Sequence, residues 1–278
     1  MLPDHQSLSD SSRDPLSERA QYNRDVLETA MEAGHVLLEN GAEIARVEET
    51  MRRISRHFGV NFGDFFVLSN GIFTTGGYEA DGQFARVKNI PVHSSYLNKV
   101  CEINALSRDI EEGKYSDILD VRRKIAEIRN IPDLPRPVRT LASALGSASF
   151  ACLFGGDLRD AFCAAIAGAV LYFFLLYVFP ERLSKIVSNI LGGMIVTVVC
   201  LCCYALSIGS HLNYMIIGSL IPLIPGIPFT NGIRDIGNGD YISGSVRLLD
   251  AILVFFCIAI GVGIIFSLYQ NLFGGGLL

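Results

Sequence analysis

Charged and apolar residues are unevenly distributed along this chain. Most of its 23 Lys and Arg and 28 Asp and Glu precede Arg139. The remainder consists of long apolar stretches whose charges are confined to short gaps. Ionised side chains are costly within a lipid bilayer, whereas long apolar runs are costly in water. The first part is therefore expected to lie in water and the second in a membrane.

The apolar part contains about five segments close to the roughly 20 residues that a membrane-spanning helix needs. An odd number of crossings would place the two termini on opposite sides of the membrane. Lys and Arg are concentrated before the first segment and in the second and fourth gaps, so the positive-inside rule predicts a cytoplasmic N-terminus. The first and fourth segments are short, which leaves open that they are re-entrant or broken. The five segments are 138–154, 158–179, 186–208, 212–227 and 246–269.

Residues 22–130 show the mixed periodicities of an α+β domain. Helical spacing of apolar residues predicts a helix over 22–40 that ends at Gly41, then an amphipathic helix that ends at Gly59. Stretches rich in Phe, Val, Ile and Thr follow, with a turn signal at Asp81-Gly82, and these predict two to four short strands.

Two further helices are predicted at the end of this domain, over 94–112 and 116–129, each opened by a serine cap. Residues 1–21 are polar and are expected to form a disordered tail. Prolines recur within 131–137, which predicts an extended linker. The predicted architecture is thus an α+β soluble N-terminal domain followed by an all-α polytopic membrane domain over 138–278.

Several classes of function are disfavoured by the composition. The formal net charge of −5 and the lack of a basic stripe argue against nucleic acid as a partner. The chain has no nucleophile elbow, phosphate-binding loop or zinc-binding helix motif, and its five histidines are scattered. We therefore expect neither an enzyme, a cofactor nor a metal site. Six of the seven cysteines fall in apolar segments, where they are expected to act as small packing residues.

The most informative stretch runs from 221 to 247. Pro222, Pro225 and Pro228 recur at every third position beside Gly226, so the fourth predicted span cannot remain a regular helix to its end. Transporters place such broken helices beside their substrate sites.

Polar residues follow this break directly, separated by glycines that allow close approach of the backbone to a ligand. Amides, an arginine and carboxylates could hold a small carboxylate or amino acid and carry a proton. The alternative is a solvated loop with Asn-Gly turns, and composition alone weighs the two evenly. The proline-rich break in the helix favours the interpretation as a binding site. The candidates for substrate binding or coupling are Pro225, Gly226, Pro228, Asn231, Arg234, Asp235 and Asp240.

Two further groups of charged residues are weaker candidates. Glu43, Glu48 and Glu49 are binding candidates in the N-terminal domain, although a charged helix face is more often simply solvated. Asp157, Arg159 and Asp160 are interpreted as a short charged turn rather than a gate.

Four stretches resemble the bacterial threonine/serine exporter family. They are GAEIARVEETMRRISRHFGV, SNGIFTT, KVCEINALSRDIEEG and, above all, IPGIPFTNGIRDIGNGDYISG. In the last stretch the Pro-Gly, the Asn-Gly-x-x-Asp and the Gly-Asp-x-x-x-Gly occur in order. The resemblance covers about residues 25–270.

The resemblance implies secondary export of a small metabolite across the inner membrane, driven by an ion gradient. Fused members carry a second, smaller membrane portion that does not follow in this sequence, so a separate small membrane subunit is the implied partner, within an oligomer. That split arrangement resembles exporters of succinate and related dicarboxylates, whereas the fused form is associated with threonine and serine.

Within this resemblance, we hypothesise that Arg234 or Asn231 binds the anionic group of the substrate, and that Asp235 or Asp240 couples a proton. A membrane-anchored sensor or scaffold with a ligand-binding cytoplasmic domain is the rival interpretation. Five spans would exceed what an anchor needs.

Overall fold

The computed structural model describes residues 15–61, 63–76, 84–90, 96–178 and 183–273. Its elements in chain order are α1 (Pro15–Glu39), α2 (Ile44–His57), β1 (Asp64–Leu68), β2 (Gly71–Gly76), β3 (Phe84–Asn89), α3 (Leu97–Glu111), α4 (Ile118–Arg129), α5 (Arg136–Leu153), α6 (Leu158–Phe173), α7 (Lys185–Ala205), α8 (Leu212–Leu220), α9 (Gly226–Gly237) and α10 (Tyr241–Phe273). A π-helical turn, Phe174–Val178, extends α6, and a 3-10 turn, Ile221–Leu223, follows α8.

The described residues form two compact units. Unit 1 comprises the described residues up to Ile131 together with Asn231–Val246. Unit 2 comprises Pro132–Thr230 together with the described residues from Arg247 onward. A short segment of the proline- and glycine-rich motif therefore belongs to unit 1, a grouping that the linear division of the sequence did not include.

The two first helices of unit 1 end where the glycine pattern predicts. Gly41 adopts a φ of 82° and Gly59 a φ of 80°, values that glycine reaches without strain. After α1, the N–H of Gly41 bonds to the carbonyl of Leu38 at 3.1 Å and that of Ala42 to Leu37 at 3.0 Å, which closes the helix end. The helix begins earlier than predicted, at Pro15, and so includes residues 15–21 of the predicted tail.

The sheet of unit 1 has three antiparallel strands in the order β1-β2-β3. Its alternation of side chains places Phe65 and Val67 in the core and leaves Phe66 56% exposed. The prediction of two to four strands is confirmed, and the predicted Asp81-Gly82 turn lies outside the described residues. The strands share one apolar core with α1 to α4, to which Leu27, Leu37, Met51, Ile72, Ile103 and Ile125 contribute fully buried side chains. Burial of each such side chain stabilises the fold by roughly 1.5–3 kcal/mol.

The predicted serine caps of the last two helices of unit 1 are not both realised. Ser94 lies outside the described residues. α4 begins one residue later than predicted, with Asp117 as its N-cap, because the Asp117 carboxylate accepts a hydrogen bond from the N–H of Leu119 at 2.9 Å. The cap is thus a carboxylate, which also compensates the positive end of the helix dipole.

His35 is a buried titratable group of unit 1 that affects its expected pH response. Its side chain lies on α1, and its Nδ1 has no hydrogen-bond partner among the described residues. Burial lowers the pKa of His35 to about 4, with a further contribution from the positive charge of Lys88. The imidazole is therefore neutral at pH 7.

Because the unfolded chain binds a proton at His35 near pH 6.5 and the folded one only near pH 4, unit 1 should lose stability as the pH falls through this window. The loss is at most about 3 kcal/mol. Amide hydrogen exchange of α1 in the full chain, corrected for intrinsic rates, should accelerate between pH 7.5 and pH 5. The His35→Gln variant should show a flatter dependence, and identical pH dependence in both proteins would contradict the assignment.

Unit 2 contains the apolar helices. Among the described residues, Leu158–Val178, Lys185–Ala205 and Tyr241–Leu272 are long and apolar enough to cross a membrane. A fourth crossing results if Leu212–Leu223 and Gly226–Gly237, which are bent by 66°, form one span. The first predicted span, α5, is not among them, since two arginines and many small or hydroxyl side chains lower its mean hydropathy. The count of five therefore stays a prediction.

Small residues bring the helices of unit 2 close together. The Ser143 hydroxyl donates to the carbonyl of Gly168 at 2.9 Å, which joins α5 to α6. A Cβ added to Gly193 would lie 2.7 Å from the carbonyl oxygen of Ile258, which places α7 directly on α10. Gly146 does not mark such a close contact, because a Cβ added there meets open space. Of the six cysteines predicted to pack in the apolar segments, Cys163, Cys200, Cys203 and Cys257 are buried, whereas Cys152 and Cys202 are exposed.

Candidate functional site

The proline-rich motif interrupts the helix as predicted. α8 ends at Leu220, a 3-10 turn follows, and Ile224 is extended with a ψ of 126° before α9 begins. The carbonyl of Pro225 accepts a hydrogen bond from the N–H of Phe229 at 3.0 Å, so Pro225 occupies the N-cap place of α9. Pro228 lies in the first helical turn, where a missing N–H leaves no intrahelical bond unmade.

The residues after the break form a helix and not the turn-rich loop of the alternative interpretation. α9 continues through Asn231-Gly232 to Gly237, so the first of the two Asn-Gly turns of that alternative is not formed, whereas Asn238-Gly239 is a turn. Only Gly239 in this segment takes a positive φ, of 94°. The local turn signal at Asn231-Gly232 is outweighed here by tertiary contacts, among them the bond from Asn231 to Gly41.

α9 and the start of α10 form a tight helical hairpin. Asp240 is the N-cap residue of α10 by position, because its carbonyl accepts the N–H of Gly244 at 2.9 Å. A Cβ at Gly244 would lie 2.7 Å from the carbonyl oxygen of Gly232. The Gly-Asp-x-x-x-Gly pattern thus combines a left-handed turn, a helix cap and a contact that only glycine permits.

Asn231, Arg234 and Asp235 share one face of α9, at spacings of three and four residues. This face contacts the turn between α1 and α2, within unit 1. The Asn231 side-chain amide donates to the carbonyl of Gly41 at 2.7 Å. The N–H of Ile44, the first residue of α2, donates to the Asp235 carboxylate at 3.2 Å.

Arg234 and Asp235 differ in how firmly they are held. Asp235 is fully buried, and it makes further contacts besides the bond from Ile44. Arg234 forms an ion pair with Glu43 at 3.6 Å, yet its side chain is 60% exposed. At this separation and exposure an ion pair contributes little to stability. The guanidinium therefore remains accessible to a ligand.

The weaker candidates of the N-terminal part separate in the structure. Glu43 is the partner of Arg234. Glu48 pairs with Arg52 at 3.0 Å and accepts the N–H of Val67, and Glu49 pairs with Arg53 at 2.7 Å. Glu48 and Glu49 thus pair with arginines of α2, and Glu48 also contacts β1, whereas Glu43 contacts the motif.

A second polar cluster lies in unit 2 and was not recognised as such in the sequence. Asp157 and Asp160 form a capping box at the start of α6, and the structure adds His211, with all ligand atoms within 4.8 Å of one another. The local Asp-x-x-Asp spacing could have revealed the box, whereas His211 is distant in the sequence. Hydrogen bonds from the backbone N–H of Asp160 and the Ser210 hydroxyl lower the pKa of Asp157.

These donor types could suit a divalent cation, but the Asp160 oxygens are already engaged. One accepts the N–H groups of Ser210 and His211, at 2.7 and 2.9 Å. The other accepts the N–H of Asp157 at 3.1 Å and contacts Nδ1 of His211 at 2.8 Å. Each oxygen thus has two partners. We assign this cluster a structural role, which joins the segment after α7 to the start of α6.

Comparison with known proteins agrees with the motif. The threonine/serine exporter family, ThrE, matches residues 28–269. The probable succinate transporter subunit YjjP of Klebsiella aerogenes is 24% identical over 242 residues, which cover 86% of this chain and 92% of the relative. No solved structure matches the chain. Since the match spans most of the chain and includes both the break and the α9–α10 hairpin, the protein belongs to the threonine/serine exporter family of membrane transporters.

Proposed function

We propose that this chain is one subunit of a secondary exporter that moves a small carboxylate metabolite across the inner membrane. Dicarboxylates of the succinate class are the favoured substrates, and threonine or serine the alternative. The family match over residues 28–269 carries the proposal. The substrate class and the need for a second, small membrane subunit find support in the relative that is named a succinate transporter subunit.

The motif from Pro225 to Asp240 is proposed to carry the transport site. Of the two candidates for the substrate anion, Arg234 is favoured because its guanidinium is largely exposed, whereas the Asn231 amide already donates to the Gly41 carbonyl. Of the two candidates for proton coupling, Asp240 is favoured because it is half-buried, whereas Asp235 is enclosed and bonded. A guanidinium fork matches a carboxylate with two parallel hydrogen bonds.

Unit 1, with its N-terminus, is proposed to face the cytoplasm, in keeping with the charge distribution around the apolar segments. Export then requires that substrate reach the motif from that side. The break at Pro225, Gly226 and Pro228 interrupts the helix, and transporters place such breaks beside their substrate.

The function is tested by efflux from cells preloaded with labelled succinate or labelled threonine. The chain is expressed alone and with a candidate small membrane partner, and its abundance in the membrane is measured in each case. We expect succinate efflux only when both proteins are present. Efflux of threonine alone would transfer the proposal to the amino-acid substrate, and no efflux of either compound by a correctly inserted pair would refute it.

A further inference from the structure

We propose that Asn231 and Asp235 are positioning residues that fasten α9 to the turn between α1 and α2, and so set the orientation of Arg234. The two contacts together, Asn231 to Gly41 and Ile44 to Asp235, are called the clasp. The proposal rests on the function proposed above, since it assigns a role to residues of the same motif.

The α1–α2 turn has unmet hydrogen-bonding needs that the clasp satisfies. The first N–H groups of a helix lack intrahelical acceptors, and a side chain at the N-cap usually accepts one of them. Glu43 occupies the N-cap of α2, but its side chain makes no capping bond. Asp235, 191 residues away, accepts the N–H of Ile44 in its place. The Gly41 carbonyl at the end of α1 likewise finds its donor in Asn231.

The N-terminus of α2 favours the Asp235 carboxylate, whereas the C-terminus of its own helix, α9, disfavours it. Asp235 lies in the last turn of α9, where the negative end of the helix dipole disfavours a carboxylate. At the positive end of α2 the same charge is favourable. A fully buried carboxylate would otherwise be strongly disfavoured. The N-terminus of α2 is therefore one of the partners that stabilise this charge, beside the further contacts that Asp235 makes.

The clasp also determines where Arg234 lies. Asn231 and Asp235 are one helical turn apart, so two bonds to the same backbone turn fix both the height and the rotation of this part of α9. Arg234 lies between them on the same face and reaches Glu43 from there. Loss of either bond should leave Arg234 chemically intact but less well oriented.

The clasp and the proton-coupling interpretation predict opposite behaviour of conservative variants. Asparagine at position 235 keeps an oxygen that can accept the N–H of Ile44 but cannot carry a proton, whereas alanine loses both. We expect Asp235→Asn to retain most export with the wild-type pH profile, and Asp235→Ala to lose it. Asp240→Asn is the comparison, because Asn is as good an N-cap as Asp but would remove the proposed proton carrier.

A second measurement tests whether Asp235 holds the start of α2, independently of transport. In the full-length protein, exchange of the first-turn amides of α2 should accelerate by roughly 2- to 30-fold in Asp235→Ala, the range expected from the loss of an N-cap, and little in Asp235→Asn. Asn231→Ala removes the other contact of the clasp and should also lower export. This variant replaces Asp235→Ala in the test if Asp235→Ala does not accumulate in the membrane.

The outcomes separate the two proposals. If Asp235→Asn abolishes the pH dependence of export while α2 stays protected, Asp235 carries the proton and the clasp is refuted as its role. Wild-type export in Asp235→Ala would also overturn the proposal. If the wild-type chain exports neither compound, the proposed function fails, and the exchange data still decide whether the clasp positions α2.

Discussion

Gly261→Ala is expected to reduce the amount of folded protein in the membrane severely. A Cβ at this position of α10 would lie 2.2 Å from the carbonyl oxygen of Ile190 and 3.1 Å from the N of Met194, both in the backbone of α7. Backbone cannot move aside as a flexible side chain can, so the two helices must separate along their contact. Overpacking of this kind typically costs about 1–3 kcal/mol, and the loss of close helix contact adds to it in a bilayer.

Gly263→Ala is the matched control, two residues along the same helix, because a Cβ there meets open space. The measurement is the quantity of monodisperse protein after mild detergent extraction, together with its thermal unfolding midpoint. We expect a marked drop for Gly261→Ala and wild-type behaviour for Gly263→Ala. Equal values for the two variants would show that α7 and α10 do not meet at this glycine in the membrane.

Much of the local structure follows from sequence patterns because its causes are local. The helix ends at Gly41 and Gly59 depend on a backbone conformation that glycine adopts readily, and both are confirmed. The break after α8 follows from the covalent geometry of proline in the same way. In each case the residue that causes the feature lies within the feature.

The arrangement around α9 could not be predicted in this way. The stretch Asn231-Gly232 signals a turn by local chemistry, yet it lies inside α9, where the Gly232 carbonyl packs closely against Gly244 of α10. The acceptor of the Ile44 N–H is 191 residues away in sequence. The residue types of the motif point to a polar site, but only the fold shows that Asn231 and Asp235 contact backbone.

The role of Glu43 could not be predicted from the sequence either. On α2 alone it is one of several exposed carboxylates, and nothing in the spacing distinguishes it from Glu48 or Glu49. The structure separates them by their partners, since Glu48 and Glu49 pair with arginines one turn along α2 whereas Glu43 pairs with Arg234. If Arg234 binds the substrate anion as proposed, Glu43 is the counter-ion that the substrate carboxylate replaces.

Arg234→Gln should weaken apparent substrate affinity by roughly 10- to 150-fold, the range for loss of a hydrogen bond to a charged group. Abundance should not change, because the Arg234 side chain is 60% exposed and its pair with Glu43 adds little stability. The concentration dependence of efflux is measured at matched protein levels. Arg56→Gln, which alters an exposed arginine on α2, is the control and should behave as wild type.

A double variant that swaps the charges of residues 43 and 234 tests whether Arg234 binds the substrate or only pairs with Glu43. If the Arg234–Glu43 pair merely holds α9 in place, Glu43→Arg combined with Arg234→Glu recreates an ion pair and should restore export that each single variant loses. If Arg234 binds the substrate carboxylate, the double variant presents Glu in the place of Arg and repels the anion, so we expect no restoration of export.

We expect Glu43→Gln alone to tighten the apparent substrate affinity, since the substrate no longer competes with the Glu43 carboxylate. Restoration by the double variant would make Arg234 part of the scaffold and shift the search for the anion site elsewhere in the motif.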